Sequence, residues 1–159
     1  MDNPVEETKV TISSKARAIG INHVALEVDD IDAALEFYSQ LFAFELRSRS
    51  DEMAFIDLGD QFLNFSKGRR QGADDERHFG FVVDNRQLVL DTLEQLGIEL
   101  LPGPFKDFLD PWGNRIEIID YDGIQFTKAA HVLKGMGLGD LEKTQEAIDE
   151  LTEKGMAPD

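Results

Sequence analysis

The stretch "INHVALEVDD" (residues 21–30) decides how this chain is read. Val24, Leu26 and Val28 alternate onto one side, and His23, Ala25 and Glu27 take the other. A period of two with one aliphatic side is the mark of a half-buried strand. The residues that follow, "DDIDAALEFYSQLFAFEL" (29–46), change period. Ile31, Ala34, Leu35, Tyr38 and Leu41 recur at helical spacing, and Asp30 or Asp32 can cap the helix start. Three strand-like runs come next: "FELRSRS" (44–50), "MAFIDLG" (53–59) and "FLNFSKG" (62–68). Gly59-Asp60 marks the hairpin between the last two. The block is therefore β-α-β-β-β.

The same pattern restarts after a polar, glycine-containing linker, "KGRRQGADDE" (67–76). "RHFGFVVDN" (77–85) reads as a strand. "RQLVLDTLEQLG" (86–97) reads as a helix, with Leu90, Leu93 and Leu96 on one side and Gly97 at its end. "IELLPG" (98–103), "FKDFLD" (105–110) and "NRIEIIDY" (114–121) supply three shorter strands, with a turn at "DPWGN" (110–114). A shift of 55 residues lays the first block on the second without gaps: His23 falls on His78, Ala25 on Gly80 and Val28 on Val83. At the last strand the shift becomes 53, and Asn64 falls on Glu117. These spacings predict an α+β fold of two β-α-β-β-β repeats in one domain (19–122, halves 19–66 and 76–122). A polar arm (1–18) precedes it, in which "KVTISS" (9–14) can add an edge strand. A helical extension (123–159) follows, with an apolar stripe of Leu141, Ala147, Ile148 and Leu151 between Asp140 as N-cap and Gly155 as C-cap.

Bulk chemistry narrows the function. The 159 residues carry 16 basic and 32 acidic side chains, for a net charge of −16. Such a surface disfavours nucleic acid and anionic lipid as partners. There is no cysteine, so disulfides, thiolate metal sites and cysteine nucleophiles are excluded. The N-terminal residues have no apolar signal core, and no segment reaches the roughly 18–20 apolar residues of a membrane span. The expectation is a cytoplasmic protein that acts on a small molecule.

Three polar residues stand among strand residues on the unpacked side: His23, His78 and Glu117. Two imidazoles and one carboxylate are a donor set for a divalent transition metal with open coordination positions. Each residue alone is ordinarily a hydrogen-bonded or solvated side chain. Their equivalent places in the repeat, beside the small Ala25 and Gly80, set them apart.

"INHVALEVDDIDAALEFYSQLFAFEL", "RHFGFVVDN" and "DPWGNRIEIID" resemble the vicinal oxygen chelate superfamily over about residues 21–121. That group includes glyoxalase I, extradiol dioxygenases, fosfomycin resistance proteins, methylmalonyl-CoA epimerase and bleomycin resistance proteins. The resemblance implies a U-shaped, incomplete barrel around the site. It implies one divalent ion, iron, manganese, nickel, cobalt or zinc, at His23, His78 and Glu117. The superfamily's fourth ligand place falls on Asn64, where glyoxalase I has a carboxylate. It also implies a homodimer, with halves side by side or exchanged between chains. The activity implied is that of a metal-dependent lyase, isomerase or dioxygenase of the glyoxalase/dioxygenase type. The alternative is a metal-free binding protein of the bleomycin-resistance type. A third reading makes the chain a regulatory module whose acidic tail binds a partner. Around the site, Glu27 and His131 are candidate acid–base groups, and Tyr121 and Trp112 candidate pocket residues, each with an ordinary packing or rim role as its alternative. Phe105 and Phe108 could wall a pocket, with Phe108 the better core residue. Arg69, Arg70 and Arg77 crowd the linker, as solvated loop residues or as contacts for an anionic substrate.

Overall fold

A computed structural model describes residues 16–158. The edge strand expected at 9–14, and most of the arm 1–18, lie outside them. The first repeat forms as its periodicities dictate: β1 His23–Val28, α1 Ile31–Leu41, β2 Glu45–Arg49, β3 Met53–Asp57 and β4 Phe62–Lys67. Their sheet has the order β1-β4-β3-β2, with β1 and β4 parallel. Asp30 caps α1, accepting from the Ala33 backbone N–H at 2.8 Å. The helix buries Ile31, Ala34, Phe37, Tyr38 and Leu41 against Leu26 and Val28 of β1 and Leu63 and Phe65 of β4.

The second repeat has β5 Phe79–Val83, α2 Arg86–Gln95, β6 Asp107–Leu109 and β7 Arg115–Asp120. Its sheet has the order β5-β7-β6. It lacks the strand expected at 98–103. Within that stretch Leu101 donates one backbone bond to Asp107, but Pro102 has no N–H and Gly103 turns to φ +137°. A ladder cannot continue through those two residues. Both sheets are open, and neither closes a barrel.

Register bears out the internal repeat. In the first sheet Ala25 pairs with Asn64, and in the second Gly80 pairs with Glu117. Asn64 and Glu117 therefore hold equivalent places on the two last strands. Paired residues of parallel strands share a face. His23, Ala25, Glu27, Phe62, Asn64 and Ser66 thus line one face of the first sheet. Gly80, Glu117 and Asp107 line the matching face of the second, and His78, just before β5, lies beside Glu117.

The halves join through a polar knot within one shared core. Asp110 accepts from the Tyr38 hydroxyl at 2.8 Å and from Asn114 Nδ2 at 2.8 Å. Asn114 Nδ2 also reaches the Glu27 carbonyl at 3.0 Å, and Arg69 Nη1 donates to Asn114 Oδ1 at 2.5 Å. Trp112 packs edge-on against Phe37, with ring centroids 6.3 Å apart. The "DPWGN" turn is thus a clamp as well as a hairpin. Gly113 within it has φ +87°, and a Cβ there would stand 2.8 Å from Ala73 Cα. Gly113→Ala is expected to destabilise by about 2–4 kcal/mol, from left-handed backbone strain plus the backbone clash. Urea unfolding measures it; a loss under about 1 kcal/mol would refute the clash.

The C-terminal segment adds α3 Ala130–Gly135 and α4 Gln145–Glu153. The N-cap of α4 is Thr144 rather than Asp140. Lys143 Nζ is drawn inward, donating to the carbonyls of Tyr121, Ile124 and Phe126 and lying 3.5 Å from the Tyr121 ring centroid. Thr144 N also donates to the Asp122 carbonyl, so the backbone is committed to β7's end before the helix can start. Burial pulls the Lys143 pKa down despite the nearby Asp122 charge. Gly155, at φ +69°, follows the C-cap Lys154.

Candidate metal centre

His78 and Glu117 meet on the second sheet. Nε2 of His78 lies 3.7 Å from Glu117 Oε2, and both side chains are partly open to solvent. The Nδ1 of His78 is 2.8 Å from the Glu76 carbonyl. A carbonyl oxygen only accepts, so Nδ1 carries the proton. In the neutral imidazole Nε2 then presents a lone pair to the carboxylate. Two lone pairs that face each other at that distance can share a divalent ion. The separation is near the roughly 3.0–3.4 Å between two donors that each bind one ion at about 2.1 Å. An Nδ1–H held by a backbone carbonyl is also the usual support of a metal-binding histidine. This donor pair fits a divalent ion.

The neighbours leave Glu117 free. Asp107, paired with it across β6 and β7, is 2 % exposed and takes the nearby cation. Arg115 donates to Asp107 from Nε at 2.6 Å and from Nη2 at 2.5 Å, and its Nη1 is spent on the Asp75 carbonyl. Among the described residues the partner within ion-pair distance of the Glu117 carboxylate is His78 rather than Arg115.

His23 holds the equivalent place at the start of β1. Its Nδ1 lies 3.0 Å from Asn22 Oδ1, which leaves Nε2 open. The single chain does not bring it to the other two. Among the described residues no three His, Asp or Glu side chains are close enough to share one ion. The reason is strand direction. Gln71 reaches Glu27 at 3.2 Å, and Asn114 reaches the Glu27 carbonyl, so the linker and β7 start pack at the end of β1. His78 comes to lie beside Val24 to Glu27 of β1, and His23 is not among the residues that line their shared cleft. A cleft of about 340 Å³ there is lined by Val24 to Glu27, Ser66, Gln71, Asp74, Arg77, His78 and Asn114.

The other sequence candidates scatter. Glu27 lines the cleft with His78. Asn64 is buried and accepts from Ser66 Oγ at 3.0 Å. Tyr121 is buried beneath the C-terminal segment, and Trp112 packs on α1. His131 is exposed on α3, on the same side as Asp60. The hydrogen bond from Lys128 lowers the Asp60 pKa against a burial cost, with a small contribution from His131. Phe108 is a core residue, and Phe105 is exposed.

Sequence reasoning missed what organises the linker. Arg69 is not solvated: its side chain is 4 % exposed and bonds Asn114, the Gly72 and Gly113 carbonyls and Asp74. Asp74 binds Arg77 at 2.6 Å and the Arg115 backbone N–H at 3.2 Å. Burial opposes its ionisation, yet those hydrogen bonds and the Arg77 and Arg69 charges hold its pKa below the usual carboxylate range. The density of arginine beside "ADDE" (73–76) was the available signal.

Residues 20–118 match the model of the Glyoxalase/Bleomycin resistance protein/Dioxygenase superfamily. The chain belongs to that superfamily. A curated relative, glutathione transferase FosA of Serratia marcescens, is 26% identical over 110 residues, covering 62% of this chain and 78% of that one. A Bacillus cereus structure described as a possible glyoxalase is 26% identical, with TM-score 0.53, covering 64% of this chain and 99% of that one. The fosfomycin resistance protein FosX of Listeria monocytogenes, complexed with Mn(II) and sulfate, is 18% identical, with TM-score 0.57 over 76% of this chain and 99% of that one. FosX of Mesorhizobium loti is 18% identical, with TM-score 0.56 over 65% of this chain and 92% of that one. The superfamily match stops before the C-terminal segment, and no helix among the described residues is long and apolar enough to cross a membrane.

Proposed function

We propose that the protein is a divalent-metal-dependent enzyme acting on a small oxygenated molecule, of the glyoxalase and fosfomycin-resistance kind. The observation that carries the reading is the His78–Glu117 pair, whose facing lone pairs can share a divalent ion. Relatives of the FosA and FosX type support it. The reading takes the third ligand from a second copy. His23 of one protomer meets His78 and Glu117 of its partner when the matching faces of the two sheets close on each other. The halves of a homodimer would then be exchanged, and residues of both chains would hold the ion. Residues 19–122 act as the catalytic unit, and residues 123–159 as an addition to it.

The ion, when bound, supplies Lewis-acid stabilisation of negative charge developing on a substrate oxygen. The chain's own residues do the rest. Glu76 and Asn22 fix the histidine tautomers by accepting from Nδ1. Asp107 and Arg115 neutralise each other, and so keep a competing cation off Glu117. Asn64, an amide where glyoxalase I has a carboxylate, leaves the site one negative charge short of that enzyme's.

Dialysis against Mn(II) and metal analysis test this. The expected result is one ion per chain and a thermal midpoint raised by roughly 5–10 °C at saturating metal. His78→Ala and Glu117→Ala are expected to lose both. If the wild-type chain binds no metal and shows no metal-dependent shift, the enzyme reading fails and a metal-free binder of the same fold takes its place.

A further inference from the structure

The face of the first sheet that carries His23 also carries an arginine for which the fold has no structural use. Between β2 and β3 the register slips: Leu46 pairs with Ile56, but Ser48 pairs with Phe55. Arg47 is the extra residue of this bulge. A bulge leaves one residue out of the ladder and re-aims its side chain. Here the Arg47 guanidinium carbon lies 4.5 Å from the centre of the Phe62 ring. Phe62 pairs with His23 across β4 and β1, so the two share a face. Arg47 thus reaches across β3 and stands one strand away from His23.

Arg47 has no partner of its own. Among the described residues it makes no salt bridge, in a chain with twice as many acids as bases. Two acids stand nearest on that face by register: Asp57 pairs with Phe62 and turns its Oδ1 to the Gly59 N–H at 2.7 Å, and Glu45 pairs with Asp57; neither makes a salt bridge to Arg47. Stacking on an aromatic ring fixes the plane of a guanidinium and leaves its edge donors free. Fixed, free N–H donors in a fork are the recognition element for a planar or tetrahedral oxyanion.

We infer that Arg47 is a substrate-binding residue, and that the substrate carries an oxyanion, carboxylate or phosphoryl, within one strand spacing of its metal-binding oxygen. The inference rests on the metalloenzyme reading for where the substrate lies. Phe62 acts through Arg47, as the platform that holds the guanidinium.

The test titrates inorganic phosphate, and separately acetate, into the full chain with and without Mn(II), by calorimetry. Wild-type protein is expected to bind at least one of the two anions, and which one identifies the phosphoryl or carboxylate class. Arg47→Met is expected to weaken that binding by tenfold or more, and Arg47→Lys by less. Arg70→Met, a linker arginine with no assigned contact, is expected to leave it unchanged. The thermal midpoint of anion-free Arg47→Met should match wild type, which separates binding from folding. Equal affinity in wild type and Arg47→Met, or no binding of either anion, overturns the inference. Manganese content is read on the same samples. Metal bound normally with Arg47-independent anion binding defeats the arginine and spares the enzyme reading. No metal, with anion binding still lost in Arg47→Met, does the reverse.

Discussion

Mixing two inactive variants is expected to restore metal binding. His23→Ala and Glu117→Ala each remove one ligand from both sites of an exchanged dimer, so each alone should hold no tight Mn(II). A mixed dimer differs. The His23 of the Glu117→Ala chain meets the intact His78 and Glu117 of the other chain, and one complete site forms. The second site of that dimer lacks both ligands. Random exchange makes half the dimers mixed, with one of two sites whole, so about a quarter of wild-type metal should return. The variants are unfolded together in denaturant, refolded as a mixture, and compared with each refolded alone. No recovery in the mixture, with the wild type binding normally, would place all three ligands in one chain. That chain would need a different arrangement of its halves from the one in which His23 stands apart from His78 and Glu117.

The largest stability effect should fall on Asp110. Its side chain is 4 % exposed and receives four donors. Oδ2 takes the Tyr38 hydroxyl and Asn114 Nδ2, both at 2.8 Å. Oδ1 takes the backbone N–H groups of Trp112 at 3.0 Å and Asn114 at 2.8 Å. Asp110→Ala strands these donors in the interior where the two halves meet. The expected loss is about 3–5 kcal/mol, or roughly 8–15 °C in thermal midpoint. Tyr38→Phe removes one donor and should cost only about 1–2 kcal/mol. The hydroxyl stays protonated, because burial first and then the Asp110 charge push the Tyr38 pKa well up. The double variant should cost less than the sum, since both break one network. Denaturant unfolding gives all three values, and an Asp110→Ala loss within about 1 kcal/mol of zero would dismiss the knot as a clamp.

Local pattern carried the first repeat. Leu26 and Val28 face the core and Asp30 caps α1 because neighbouring residues alone decide those roles. The equivalence of Asn64 and Glu117 was also legible, since register follows from strand periodicity and loop length. Less legible was 98–103. Its composition suits a strand, but pairing with β6 stops at Pro102 and Gly103. The start of α4 escaped for a similar reason: Lys143 and Thr144 are tied to carbonyls some twenty residues earlier. Arg69 looked like a solvated loop residue because its partners, Asn114 and the Gly113 carbonyl, are remote in sequence.

His23, His78 and Glu117 mark the same division. Side-chain alternation, a local property of the backbone, was enough to put all three at repeat-equivalent places on or just before a strand, away from its aliphatic side. Which of them meet depends on how the strands pair and the halves pack. His78 faces Glu117 because β5 and β7 are paired neighbours. His23 stands apart because the Asp110–Asn114 turn and the linker dock on the far end of β1. Which strand end a loop packs against depends on contacts between distant residues, and no periodicity encodes them.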